Sequence, residues 1–560
     1  MNTRRKWLLA AGAVAAGATG GLLWQRRREE LAPDRRAEPP GPAPVRDPAF
    51  PNALRLPGAD GMYGILDVGG PIAIVARPIQ HALYPGKPAA MLGFEVQHQG
   101  NNYLNPLLRV RRGTTVRADF WNALDETSII HWHGLKVDAN NDGHPHYAIK
   151  AGATHAYHYP VPNRAATYWY HPHAHGRTAA QIHQGLAGLY LVDDDEDQAL
   201  RTALDLTTGV TDVPLVLQDK RIDGNGAPVY APTEAEWMHG YLGNDVLVNL
   251  TSRPHLDVTA RIYRFRLLNA SMARVYRLAF TSGDRSLEFA LLGGDGGLLP
   301  QPRAAQEAYL SPGERLDVAL DLRSAGSGAT VTLHSLEFDP MHHDAARSAR
   351  EAGAAHAHTR HHDEGTANPA SAQPAPIPDG AALELMKLYV YPARDPAREL
   401  PATLSASEDP DFSDASVRRI RIDHHRMAWR INGRLFDMRG IGLTVRRGAK
   451  EIWEIANPAD GMPHPMHIHG FHFRVLERSG SPEQVRRLAL AEHGLTASDL
   501  GWKDTVMIWP GETVRIALEF SHSYLGDQVY MFHCHNLQHA DRGMMVNVRV
   551  ANVNGTGYGL

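Results

Sequence analysis

One strand-forming phrase recurs three times along this chain: Arg112-Gly113-Thr114-Thr115-Val116-Arg117-Ala118-Asp119-Phe120, Pro312-Gly313-Glu314-Arg315-Leu316-Asp317-Val318-Ala319-Leu320 and Pro510-Gly511-Glu512-Thr513-Val514-Arg515-Ile516-Ala517-Leu518. In each, a glycine turn feeds a short alternating run, the pattern of a half-buried strand. The first and last thirds match more closely still. Val110-Arg111-Arg112-Gly113 leads to Asn122 over the same interval that takes Val445-Arg446-Arg447-Gly448 to Asn457, and a His-x-His-Gly follows each. Further on, Tyr168-Trp169-Tyr170-His171-Pro172-His173 mirrors Tyr530-Met531-Phe532-His533-Cys534-His535, so the two thirds read as one unit used twice. The middle third repeats the strand grammar in Tyr263-Arg264-Phe265-Arg266-Leu267-Leu268-Asn269, without a His-x-His in a comparable place, and reads as a spacer domain. Short strands bounded by Gly, Pro and Asn predict an all-β fold of three Greek-key sandwiches, with residues 482–495 as a helical insertion.

Four His-x-His pairs occupy matching places in the repeat: His131/His133, His171/His173, His467/His469 and His533/His535. Residues two apart on a strand project from one face, so each pair offers two imidazoles to one side. Eight imidazoles can then converge where the first and third domains meet. Imidazole suits copper, zinc, iron and nickel alike, so the histidines do not choose the metal. Cys534 does. It is the only cysteine among 560 residues, so it forms no internal disulfide, and it sits between His533 and His535, facing the other way along the strand. With His464 upstream, His539 five residues later and Met544 ten later, it completes a His₂Cys-plus-thioether set, the ligand set of blue-copper electron transfer. A one-electron site and a multi-metal cluster therefore share one tripeptide, at a separation of about 10 Å for side chains leaving a strand on opposite faces. Such wiring suits a reaction that collects several electrons, as the reduction of dioxygen to water does.

Together the motifs His131-Trp132-His133-Gly134, Trp169-Tyr170-His171-Pro172-His173, His464-Pro465-Met466-His467-Ile468-His469-Gly470 and His533-Cys534-His535 through His539 to Met544 resemble the copper-binding motifs of the multicopper oxidases, over about residues 60–552. The resemblance implies three cupredoxin domains and four copper ions. It implies a type 1 copper on His464, Cys534, His539 and axial Met544, and a type 2 copper on His131 and His467. The paired type 3 coppers would take His133, His171 and His535 on one ion and His173, His469 and His533 on the other. Oxygen reduction consumes protons, and Asp142 falls where similar proteins carry an Asp after the first motif. Those relatives often place a Glu directly after the second type 1 His, where this chain has Ala540; Asp541 beside it reads as a surface carboxylate, with a substitute for that Glu as the alternative. Met462 and Met466 read as packing around the type 1 copper, and His144, His146, His175 and His183 as second-layer or surface residues.

With 57 basic and 61 acidic side chains the chain gives no electrostatic reason to expect a nucleic-acid partner. Residues 1–28, with Arg4-Arg5 before an apolar Ala/Gly-rich stretch, resemble a twin-arginine signal. They predict passage through the machinery that exports folded proteins and a periplasmic or exported location, an uncleaved membrane anchor being the alternative. Residues 29–55 read as a Pro-rich flexible spacer, followed by domains at 56–200, 201–395 and 396–560. A polar, Ala-rich tract at 339–379 carries His342, His343, His356, His358, His361 and His362, and reads as a loop with metal capture as its functional alternative. The expected activity is oxidation of a phenolic or aromatic donor, or of Cu(I), by dioxygen. A copper-free structural relative of the kind that aids cell division is the reading from a different class.

Overall fold

A computed structural model describes residues 43–341, 374–394, 396–407 and 410–552. The twin-arginine-like segment and all six histidines of the 339–379 tract lie outside the described residues. Six sheets pair into three sandwiches. Each sandwich encloses its own apolar core: one around Phe94, Phe120 and Trp132, one around Phe265, Phe280 and Phe289, and one around Trp453, Phe473 and Phe532.

The repeat in the sequence is a repeat in topology. In the first domain Leu107–Arg111 runs parallel to Gly188–Asp193, which pairs antiparallel with Ala166–Pro172 and that with Ile130–His133. In the third, Ile441–Arg446 runs parallel to Met545–Ala551, which pairs antiparallel with Gln528–Cys534 and that with His464–Ile468. The solvent-facing strand Thr115–Asn122 alternates strictly between exposed and buried. The histidine-bearing strands Ala166–Pro172 and Gln528–Cys534 are buried at every residue, because one face lines its own sandwich and the other meets the neighbouring domain.

Three expectations need correction. The end of the supposed spacer is structure: Arg46 pairs with Asp257 at 2.6 Å, Phe50 is buried, Asn52–Ala53 adds a parallel edge strand to Pro254–Thr259, and Leu54 enters the middle domain's core. Apolar Phe50 and Leu54 supply what the Arg- and Pro-rich residues before them lack. The 482–495 insertion is helical only over Glu483–Arg486 and a 3-10 turn at Glu492–Gly494. A bridge from Ala489 to Thr496 folds the segment back, with His493 and Gly494 both at positive φ. The middle domain is also more than a spacer, since it reaches both candidate sites.

Candidate metal centre

Register brings the histidine pairs together. His131 lies opposite His171 and His467 opposite His533 across their ladders, so each domain presents four imidazoles on one face of one sheet. The two faces oppose each other. His131 stacks on His469 with ring centroids 3.7 Å apart, and His133 on His467 at 3.8 Å. All eight rings are buried. Their ligand atoms gather into groups spanning at most 4.8 Å: His133, His171 and His535; His173, His469 and His533; and His131 and His467 with His133.

Burial, reinforced by neighbouring histidines, holds the imidazoles of His131, His173, His469 and His535 well below their ordinary range. Ring nitrogens crowd one another. His469 Nε2 lies 3.1 Å from His533 Nε2, His173 Nε2 3.3 Å from His533 Nε2, and His467 Nε2 3.5 Å from His131 Nε2. The opposite nitrogens of several rings are already engaged, His171 Nδ1 with Pro172 O, His467 Nδ1 with Asp504 O and His533 Nδ1 with Cys534 O, which turns the remaining nitrogen inward. His133 Nδ1, His171 Nε2 and both nitrogens of His535 are buried without a hydrogen-bond partner. Lone pairs buried in this way are costly, and bound cations are what they fit.

Cys534 leaves the opposite face of the same strand, into the core of the third sandwich. Its Sγ lies 3.6 Å from both His464 Nδ1 and His539 Nδ1, and the Asn536 N–H donates to it at 3.3 Å. Burial pushes the thiol far up, against the Asn536 donor, so a metal is what would hold it as thiolate. Met462, Met466 and Met544 pack in this core, and the Met544 carbonyl accepts the Cys534 N–H at 3.1 Å.

Carboxylates stand behind the imidazoles. Asp142 is fully buried; its Oδ2 accepts from His469 Nδ1 at 2.7 Å, its backbone oxygen accepts from His131 Nδ1 at 2.7 Å, and Oδ1, 3.5 Å from His131 Nδ1, has no hydrogen-bond partner. Burial, helped by Asp138, holds its carboxyl well above the ordinary range. Asp504 was not anticipated. It accepts from His133 Nε2 at 3.0 Å and from Arg315 Nη1 and Nη2 at 2.8 and 2.5 Å. Burial works against its charge, but Arg315 and His133 outweigh that and hold it well below the carboxylate range. Its signal in the sequence is adjacency: Thr505, the next residue, pairs with His467 in the ladder.

The middle domain supplies Arg315 and also Gly313. A Cβ on Gly313 would stand 3.0 Å from His535 Cδ2 and 3.2 Å from His133 Cε1, at a φ of +87° that side chains avoid, so only glycine seats this turn against the cluster. Ala540 packs with Met531, Met545 and Phe436 in an apolar patch. The surface reading of Asp541 is overturned. It is half-buried, its carboxylate accepts the Thr178 and Ala179 N–H groups that open the helix Thr178–His183, and burial lifts its carboxyl to about 7 against those donors. His144 and His183 are buried outside the ligand groups, His144 on Asn547, while His146 and His175 are exposed.

Two sequence profiles described as multicopper oxidase match residues 89–197 and 409–554. The multicopper oxidase mco of Staphylococcus haemolyticus is 30% identical over 456 residues, 80% of this chain and 83% of that protein. The cell division protein FtsP of Dickeya dadantii is 31% identical over 454 residues, 81% of this chain and 84% of that protein. The crystal structure of the McoA multicopper oxidase from Aquifex aeolicus superimposes with a TM-score of 0.75 at 37% identity, covering 89% of this chain and 99% of that one. With ligand groups for a metal cluster between two domains and a His₂Cys set whose Cys534 shares a strand with His533, the chain belongs to the multicopper oxidases, copper-dependent enzymes that oxidise a reducing substrate with dioxygen.

Proposed function

We propose that this oxidase holds four copper ions. His464, Cys534, His539 and Met544 would hold the type 1 ion; His131 and His467 would hold the type 2 ion. One type 3 ion is held by His133, His171 and His535, the other by His173, His469 and His533. The observation that carries this assignment is that His133, His171 and His535, then His173, His469 and His533, and then His464, Cys534 and His539 each gather their ligand atoms within 4.8 Å, with His131 and His467 grouped beside His133 and Cys534 on the far face of the strand that bears His533. Copper so held supplies four successive one-electron oxidations of a donor, coupled to conversion of dioxygen and four protons into two waters.

The protein's own part is to hold, connect and protonate. The Cys534 carbonyl accepts the His533 Nδ1–H at 2.9 Å, so a hydrogen bond shortens the covalent path between the two sites. Asp142 holds a proton on Oδ1, the buried oxygen without a hydrogen-bond partner, beside His131 and His469. Donors are small one-electron reductants, a phenol or aromatic amine or Cu(I), and the Arg4-Arg5 segment directs the folded protein to the periplasm. The copper-free reading, which the likeness to FtsP brings forward, is disfavoured because every ligand position is filled. Copper analysis with visible and electron-spin-resonance spectra tests the assignment: four ions per chain and an intense blue band are expected, and a colourless protein without oxygen uptake refutes it. Comparing kcat/KM for oxygen uptake with Cu(I) and with a phenol decides the donor class.

A further inference from the structure

Resting on the assignment of His464, Cys534 and His539 to one copper, the surroundings of that site constrain how an electron reaches it. None of the four side chains offers a surface to a donor: His464, Cys534 and Met544 are 0% exposed and His539 is 1% exposed. The outward nitrogen of His539 is capped, since Nε2–H donates to Met238 O at 2.9 Å, on the helix Glu234–His239 of the middle domain. That same carbonyl accepts the indole Nε1–H of Trp429 at 3.0 Å. The Trp429 ring lies edge-to-face on His464, with centroids 4.5 Å apart, and 5.8 Å from His539. Among the described residues, apart from the two imidazoles themselves, it is the one ring that touches both.

On its outer side Trp429 meets His424, with centroids 4.9 Å apart. The contact is fixed by backbone register, because His424 and Trp429 are cross-strand partners in the hairpin of Ser416–His425 and Ala428–Ile431. The His424 side chain is 37% exposed and lies 3.8 Å from the exposed carboxylate of Asp460. A continuous line of touching rings therefore runs from the surface at His424 through Trp429 to both histidines of the Cys534 site.

We propose that Trp429 is the bridge by which electrons reach this copper, from a donor resting at the His424 surface and not in contact with a copper ligand. One electron leaves the donor and arrives at the Cys534 site in each event; the indole is the same before and after, and no bond or proton in the protein moves. The substrate class that follows is outer-sphere one-electron reductants, admitted by potential more than by shape. The test uses the copper-loaded protein as wild type, Trp429→Leu, Trp429→Phe and His424→Leu, mixed anaerobically with hexacyanoferrate(II). Fading of the blue band is followed by stopped flow, and the type 1 potential and the rate of reoxidation by oxygen are measured separately. Trp429→Leu is expected to slow reduction roughly tenfold, about 1.4 kcal/mol of barrier, with band, potential and reoxidation unchanged. Trp429→Phe keeps a ring at the contact and recovers most of the rate, while His424→Leu, which leaves the core untouched, also slows reduction. Reduction of Trp429→Leu at the wild-type rate overturns the bridge. So does a slowing matched by a shifted potential or a weakened band, which would make Trp429 a structural support, and an unaffected His424→Leu overturns the surface end of the line. A wild-type protein with no blue band defeats the copper assignment instead, a result distinct from all of these.

Discussion

Replacing Asp504 by Asn removes one charge from the most heavily connected carboxylate behind the cluster, with little change of shape. Asp504 is fully buried and accepts from Arg315 twice, from His133 Nε2 and from Thr505 Oγ1 at 2.8 Å. Breaking a buried ion pair on one side costs about 3–5 kcal/mol, because the surviving charge is stranded. Arg315 would not be wholly stranded: Asp295 Oδ1 remains 3.4 Å away, and the carbonyls of Thr167, Gly313 and Asp295 still accept from it. The expected loss is therefore at the low end, about 3 kcal/mol. The amide also ceases to be an anion facing His133, which weakens the imidazole as a ligand, and changes of this kind typically cost about 10–100-fold in metal affinity. Urea unfolding of Asp504→Asn, Arg315→Met and the double variant closes a cycle, with copper binding measured by competition with a chelator. A coupling energy below about 0.5 kcal/mol between the two positions, or copper affinity unchanged in Asp504→Asn, would refute the idea that this pair holds the cluster's ligands in place.

Cys534→Ser replaces the only thiolate by a hard, weakly acidic hydroxyl; the blue absorption and oxygen uptake should vanish together, and a blue, active variant would overturn the ligand set. Gly313→Ala forces a side chain into positive φ and against His535 and His133, so it should lower type 3 copper occupancy by metal analysis while leaving the blue band, and normal occupancy would show that the turn yields. Acid should destabilise the middle domain. Burial pushes the Asp197 and Asp212 carboxyls up, but the Arg264 and Arg266 guanidiniums outweigh it and hold both below the range of an unfolded Asp, about 3.9. The unfolded chain thus takes up protons first, so this contribution is complete above about pH 4 and is lost as pH falls through the lower folded values. Urea midpoints that stay flat from pH 5 to pH 2, or that rise, would contradict this.

What could be read in advance follows one rule: features fixed by the period of a single strand were legible, and features fixed by a partner from another domain were not. His533, Cys534 and His535 alternate because a strand alternates, so the opposed directions of thiol and imidazoles needed no coordinates. The alignment of His131 with His171 was implied only by the duplicated motifs, since no local pattern sets which residues face each other across a ladder. Asp504 and Arg315 look like ordinary alternating polar positions of strands that could face water; they become a buried pair only because three domains close over them. Trp429 reads as another core aromatic until the Met238 carbonyl, from a helix nearly two hundred residues earlier, is seen to hold it and His539 together. Asp541 was misread for the same reason, as its partners are the first N–H groups of a helix in the first domain. Its position also bears on the apolar patch at Ala540. A carboxyl lifted by burial stands one residue beyond Ala540, and it is tied to a helix that begins five residues after His173. The acid next to the clustered imidazoles is Asp142, held on His469 directly, so with an apolar patch at Ala540 these imidazoles keep a carboxyl on their first-domain side.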